Sequence, residues 1–267
     1  MERKAGMHNV SYPEVDKVIA YIQERIDEPL SLPDLSRHAG YSPYHFLRLF
    51  KLRMGMPPLY YISLLRLQRA KELLLSTDLP VRDIGLAIGQ QSLGTFTTRF
   101  TERVGVTPAE FRKQILHTDR QLLDLQMPDV WKMPLPVLGR HARVQGVVRA
   151  EVPFHGVIFL GLFARPIPEG VPLYGTLAST LGEFCISVVK PGIYYLMATA
   201  VSWDTGPSDI LLPFSTLRTR SRNPVIVGPD SSTVHIQVML HPPKLDDPPI
   251  LVSLPLLMNH FLQRALV

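Results

Sequence analysis

The stretch "GYSPYHFLRLFKLRMG", residues 40–55, sets His45, Arg48, Lys51 and Arg53 among aliphatic and aromatic residues. Wound as a helix, it turns Phe46, Leu49, Phe50 and Leu47 toward a core. Tyr44, His45, Arg48, Lys51 and Arg53 are left outside. Side chains of these types neutralise phosphates, and an arginine can grip a base edge with two parallel hydrogen bonds. The chemistry on offer is therefore recognition of a polyanion rather than bond-making.

Residues suited to covalent chemistry lack the necessary company. The chain has one cysteine, Cys185, so it can form no internal disulfide and no cysteine-rich zinc site. Cys185 sits in an alternating, strand-like segment with no nucleophile-elbow context. His141, His155, His235, His241 and His260 follow no metal-ligand spacing, and Asp246–Asp247 falls in a proline-flanked loop, "KLDDPPI". No glycine-rich phosphate loop follows any strand-like run. No catalytic residue, metal or cofactor is assigned.

The elements that position the basic segment can be read next. Ser42 is a good N-cap, Pro43 suits the first helical position, and Gly40 fits the left-handed residue that closes a preceding helix. That preceding helix lies in "SLPDLSRHAG". The pattern then recurs about fifty residues on. Leu32, Asp34, Leu35 and Gly40 match Val81, Asp83, Ile84 and Gly89; after one inserted residue, Phe46, Phe50, Gly55 and Pro58 match Phe96, Phe100, Gly105 and Pro108. Each copy is a short helix, a glycine turn and a second helix, which is helix-turn-helix grammar. A capping box is expected at Ser11-x-x-Glu14 and another at Thr107-x-x-Glu110.

Composition divides the chain. Eight of the 25 prolines lie in the first 127 residues, and residues 1–115 hold 16 Lys and Arg against 12 Asp and Glu, nearly all of the net charge of +5. The later half alternates in "TVHIQVML" and in "EFCISVV", where Phe184, Ile186 and Val188 share a face; proline–glycine turns separate such runs. The fold expected is multidomain. An all-α double helix-turn-helix domain over residues 11–116 is followed by a linker over 117–143, helical at first and extended from Pro128. An all-β sandwich with a C-terminal helix over 144–267 completes it. The N-terminus has no apolar signal core, and "ILVSLPLLM" is too short to span a bilayer, so the expectation is a cytoplasmic protein with no membrane partner.

Over residues 11–115 the sequence resembles the AraC/XylS transcriptional regulators. The resemblance is carried by "SLPDLSRHAGYSPYHFLRLFK", "MPPLYYISLLRLQRAKELLLSTDLPVRDIGLAIG" and "FTTRFTERVGVTPAEFRK", in that order. It implies a bacterial, cytoplasmic regulator, an activator by preference, with homeodomain-like units that read adjacent major-groove segments of double-stranded DNA. By position, Tyr44, Leu47 and Arg48 of the first recognition helix and Gly94, Thr95, Thr98 and Arg99 of the second face bases or nearby phosphates. Lys51, Arg53 and Arg103 are implied phosphate contacts, and His45 lies beside them. The second unit departs from the family pattern. Thr98 stands where the family usually has arginine, Thr101 where it has a basic residue, Gln90 where it has an aromatic, and Pro80 where a capping side chain would begin the unit. The second reader is therefore expected to be the weaker.

The later half is similar only loosely to transthyretin-like sandwiches, through "GEFCISVVKPGIYYLMATAV" and "VIFLGLFARP". Two roles are open to it. It could sense a small effector, with Phe163, Tyr174, Tyr194, Tyr195 and Trp203 as the aromatic wall. It could instead form a homodimer through "PPILVSLPLLMNHFLQRALV". RNA polymerase is a further implied partner. Against the regulator stand a weakly specific architectural DNA binder and a DNA-targeted enzyme with its site in residues 144–267.

Overall fold

The computed structural model describes residues 12–90, 92–131 and 142–265. Ser11 and residues 132–141 of the expected linker lie outside them. The chain divides at Arg66/Leu67 into two compact units.

The first unit holds helices α1 (Pro13–Glu24), α2 (Leu32–His38) and α3 (Pro43–Met54), and the start of α4 (Pro58–Ser76). Val15, Val18, Ile19 and Ile22 recur at helical spacing on α1 and are buried. They share a core with Leu35, Phe46, Phe50, Met54 and Tyr61. The Phe46, Phe50 and Tyr61 rings pack in series at a tilt, with centroids 5.6 and 5.9 Å apart. Arg53 on α3 donates to Asp16 on α1 at 2.8 Å, fixing the angle between those helices.

The second unit takes α4 from Leu67, then α5 (Val81–Ala87), α6 (Leu93–Val104), α7 (Pro108–Gln114), α8 (Thr118–Leu125) and a 3-10 turn, Pro128–Trp131. That turn replaces the start of the extended segment expected from Pro128. Phe96, Phe100 and Phe111 repeat the ring series of the first unit at 5.7 and 5.8 Å. The duplication thus extends to the core aromatics.

Within the same second unit the β-rich region follows, with strands β1 (Ala142–Ala150), β2 (Gly156–Phe163), β3 (Tyr174–Ala178), β4 (Gly182–Val189), β5 (Gly192–Ser202), β6 (Leu217–Arg220), β7 (Val225–Val227) and β8 (Thr233–Leu240). The short helix α9 (Pro207–Leu211) and the final helix α10 (Leu254–Ala265) complete it. One sheet runs β4-β1-β8, with β1 and β8 parallel; the other runs β3-β2-β5-β6, with β7 also paired to β5. Both sheets contribute to one apolar cluster that includes Val144, Ile158, Leu160, Ile186, Leu196 and Leu240. A second cluster joins Val157, Phe159 and Val201 to Leu122 and Leu125 of α8 and to Met258 and Phe261 of α10. β2 is therefore buried along its whole length. Helix α10 packs on its own domain in this way.

The alternation expected in "EFCISVV" breaks at its end. Phe184 and Ile186 are buried, but Val188 is exposed and Val189 buried. The register against β1 shifts there, and Val188 takes φ 60°, an unusual conformation for a β-branched residue. An extra residue in a bulge flips every later side chain to the opposite face.

Candidate nucleic-acid interface

In the first unit, the Ser31 hydroxyl accepts from the backbone N–H of Asp34 and caps α2. The chain leaves α2 through Gly40 at φ 69°, and Tyr41 N–H donates back to Ser36 O at 3.0 Å. Nothing crowds a Cβ at Gly40, so the positive φ alone favours glycine there. Ser42 then caps α3 by accepting from His45 N–H, with Pro43 in the first turn. Phe46, Phe50 and Met54 anchor one side of α3. On the other, Tyr44, Arg48 and Lys51 are exposed at spacings of four and three, which aligns them in one stripe. Tyr44 is 81% exposed, unusual for a tyrosine with core on the same helix. His45 is half-buried with its ring 4.8 Å from that of Tyr41, and Leu47 is half-buried.

The second unit repeats this backbone with different side chains. Pro80 precedes α5 and makes no capping bond, as its side chain dictates. Gly89 lies at φ 79°, and Gln90 N–H donates to Gly85 O at 2.9 Å, the counterpart of the Tyr41–Ser36 bond. A Cβ on Gly85 would come within 3.1 Å of the Phe96 ring. Ser92 caps α6 through Thr95 N–H. The exposed side of α6 carries Gly94, Thr95, Thr98 and Arg99. Arg99 alone among these four is charged, and its Nη1 donates to the Gln90 side chain at 3.2 Å. Thr107 and Glu110 form the expected capping box at the start of α7, and the Thr107 backbone N–H holds the Glu110 carboxyl below its ordinary pKa.

Several basic residues that count toward the charge excess serve the fold instead. Arg53 pairs with Asp16, and Arg103 lies 3.5 Å from Glu169. Arg66 donates to the carbonyls of Ile26 and Glu28, and Arg112 to those of Leu74 and Leu79. Each ties down the loop that leads into a helix-turn-helix unit. Lys71 is fully buried; its Nζ donates to Ile250 O at 3.1 Å and Leu251 O at 3.4 Å and lies 5.3 Å from the Phe111 ring centroid. Burial pulls its pKa down to about 7. The sequence reading assigned no such roles to Lys71, Arg66 and Arg112, because their acceptors are carbonyls remote in the chain.

Helix α6 is also held at its C-terminal end. Gly170 N–H donates to Arg103 O at 2.6 Å and Ser253 N–H to Val104 O at 2.8 Å. These satisfy carbonyls that a helix end otherwise leaves open. The Ser253 hydroxyl donates to Gln114 Oε1 at 2.8 Å. A Cβ at Gly105 would lie 2.7 Å from the Leu256 side chain and 3.1 Å from that of Val171, on a residue already at φ 94°.

The aromatic residues proposed from sequence as an effector wall occupy separate places. Tyr174 and Tyr194 meet edge to face at 5.6 Å, and Tyr194 donates to Lys190 O. Phe163 pairs across the strands with Tyr195 and lines a small cavity of about 50 Å³ with Pro168 and Met197. Trp203 stands beside His155 and shares a 470 Å³ cavity with Trp131.

A helix-turn-helix domain model matches residues 35–114. The bifunctional transcriptional activator/DNA repair enzyme AdaA of Bacillus subtilis is 35% identical over 99 residues, 37% of this chain and 47% of AdaA. This chain therefore spans about half the length of that relative. The HTH-type transcriptional activator AarP of Providencia stuartii is 33% identical over 98 residues, 37% of this chain and 73% of AarP. Among solved structures, an AraC-type DNA-binding domain-containing transcriptional regulator from Chromobacterium violaceum is 35% identical, covering 38% of this chain and 91% of that one with a TM-score of 0.37.

Proposed function

The chain belongs to the AraC/XylS family of transcriptional regulators, and from that premise we propose that it binds double-stranded DNA in a sequence-specific way and regulates transcription. The observation that carries this reading is the Tyr44–Arg48–Lys51 stripe on α3, exposed opposite a fully buried Phe46–Phe50–Met54 stripe. A helix fixed by one side presents an ordered row of donors on the other. Lys51 would meet a phosphate, while Tyr44, Leu47 and Arg48 would address base edges, with His45 at the margin. On α6, Gly94, Thr95, Thr98 and Arg99 would do the corresponding work. Arg53 and Arg103 could reach phosphates only by loosening their carboxylate partners, so we assign them a lesser share. The names of AarP and AdaA favour an activator, which would bring RNA polymerase in as a partner.

We divide the chain by function into a reader over residues 11–116, a linker over 117–143 and a modulating region over 144–267. We read that last region as a β-sandwich, supported by the one core its two sheets share. Its grip on α6 supports modulation of the second reader, by an effector or through homodimer assembly. The reading is non-enzymatic. Cys185 has the Ser187 hydroxyl at 3.7 Å as its neighbour, and a hydroxyl supplies no general base.

Arg99 already engaged with Gln90 favours a second reading, a weakly specific architectural binder. Selection of sites from a random DNA pool by the full-length protein, at two salt concentrations, separates the two. The regulator recovers a defined motif; the architectural binder recovers none and shows only a steep salt slope.

A further inference from the structure

We propose that Gln90, in the turn before α6, sets the specificity of the second unit: by engaging Arg99, it withholds the one charged side chain of that reading face from base recognition. The proposal deepens the reading of α6 as a DNA-reading helix and rests on it.

Gln90 is placed by its backbone. It follows Gly89, whose φ of 79° closes α5, and its N–H donates to Gly85 O at 2.9 Å. The turn thus carries a half-buried amide whose backbone is fixed whatever the side chain touches. Nine residues on, the exposed Arg99 donates from Nη1 to Gln90 Oε1 at 3.2 Å. A neutral acceptor leaves the guanidinium's charge uncompensated, so Arg99 still attracts phosphates, an attraction that carries no sequence information. What the bond takes is direction. An arginine reads guanine by setting two parallel N–H groups against O6 and N7. With Nη1 held from the turn, that placement competes with an existing bond. Gln90 is affected in the same way. A glutamine reads adenine with both its amide oxygen and its amide nitrogen, and here the oxygen is already engaged. One bond therefore blunts two side chains suited to distinguishing bases and leaves the charge of the face intact.

The first unit shows the alternative at the same place in its turn. Tyr41 N–H donates to Ser36 O as Gln90 N–H does to Gly85 O. The Tyr41 ring packs with that of His45 at 4.8 Å. Among the described residues, nothing is hydrogen-bonded to the Arg48 guanidinium, which stands exposed on α3. By the Phe46–Phe96 match, Arg99 sits one residue later on its helix than Arg48, which turns it about 100° round the axis. Position brings Arg99 within reach of the turn, and an amide rather than a ring is there to receive it.

Gln90→Met keeps the length of the side chain and removes its acceptor amide. Sites are selected from a random DNA pool by the full-length wild type, by Gln90→Met, by Arg99→Ala and by the double variant. The first half of the motif should be the same in all of them. In the second half, Gln90→Met should gain a preference for guanine of about 5- to 150-fold, the range of a bidentate arginine contact. The double variant should lose that gain, and Gln90→Glu, which keeps an acceptor for Arg99, should not show it. A second half unchanged in Gln90→Met, a gain that survives Arg99→Ala, or the same gain in Gln90→Glu overturns the proposal. A second readout needs no DNA. Nitrogen NMR should show slowed rotation of the Arg99 guanidinium in the wild type and faster rotation in Gln90→Met; equal rates would mean that the amide does not hold it, and would overturn the proposal too. No motif from any protein, wild type included, refutes the regulator reading and this proposal with it. A wild-type motif that Gln90→Met leaves unchanged refutes this proposal alone.

Discussion

The two helix-turn-helix units have matching scaffolds and unequal outer faces. Both turns close on a glycine at positive φ, both second helices are capped by a serine, and both cores pack three aromatic rings in series, tilted in the first and edge to face in the second. Their outer faces differ. The first presents Tyr44, Arg48 and Lys51. The second presents one glycine, two threonines and an arginine already bonded to Gln90, and its Arg103 is paired with Glu169. The recognition helix of the second is bonded at its last turn to Gly170 and Ser253 of the β-rich region. Duplication preserved what folds each unit, and divergence fell on what each unit offers.

The largest expected effect tests whether the scaffolds are equivalent. Phe50→Ala and Phe100→Ala each remove a fully buried ring and should each destabilise by about 3–5 kcal/mol. Because the rings lie in different compact units, thermal unfolding followed by local probes should place the two losses in different segments. A single shared transition would deny that the units are separate.

Next comes the inequality of the readers. Arg48→Ala should weaken specific DNA binding by about 10- to 100-fold, the range for losing a bidentate base contact. Arg99→Ala should weaken it by less than about fivefold. Equal losses in a binding titration would erase the distinction drawn between α3 and α6.

The docking of the second unit can be sharpened through Lys71. Its pKa is near 7 in the fold, against an ordinary value of 10.5. Between those values the unfolded chain holds a proton that the folded chain has released, so stability rises with pH across the window and is lost as pH falls toward 7. Urea unfolding should give about 2 kcal/mol more stability at pH 9 than at pH 7. Lys71→Met should flatten that difference. A pH response unchanged in the variant would mean that Lys71 keeps its charge in the fold.

The smallest effects concern caps. Ser42→Ala should cost the first unit about 1 kcal/mol, and Pro80→Ser should add about half that to the second by supplying a cap the native residue cannot form. Chemical denaturation of each variant reads both. A gain from Pro80→Ser would identify the uncapped start of α5 as a local weakness of the second unit.

Much of the reader was legible because its signals are local. Ser42, Gly40, Gly89, Thr107 and Glu110 each act within a few residues of themselves, and the phenylalanines recur at fixed offsets. What escaped is non-local. Lys71, Arg66 and Arg112 look like surface charge until the carbonyls they reach, up to 180 residues away for Lys71, are placed beside them. The bulge at Val188 is invisible to an alternation rule, since one inserted residue reverses the face without changing residue types. β2 carries core on both sides, so its unbroken apolar run gives no face at all. The five aromatic residues expected to form one wall fall into pairs, Tyr174 with Tyr194 and Phe163 with Tyr195, and Trp203 apart beside His155, because strand register, not residue type, decides which rings meet.

The central claim is that one chain carries a strong and a weak reader on matching scaffolds. The most direct test is to select binding sites from a random DNA pool with the full-length protein and with Arg48→Ala, and to compare base preference position by position. The account predicts a bipartite motif with one sharply specified half and one degenerate half, in which Arg48→Ala erases the sharp half and leaves the other. Two equally specified halves, or a motif that survives Arg48→Ala intact, would contradict it.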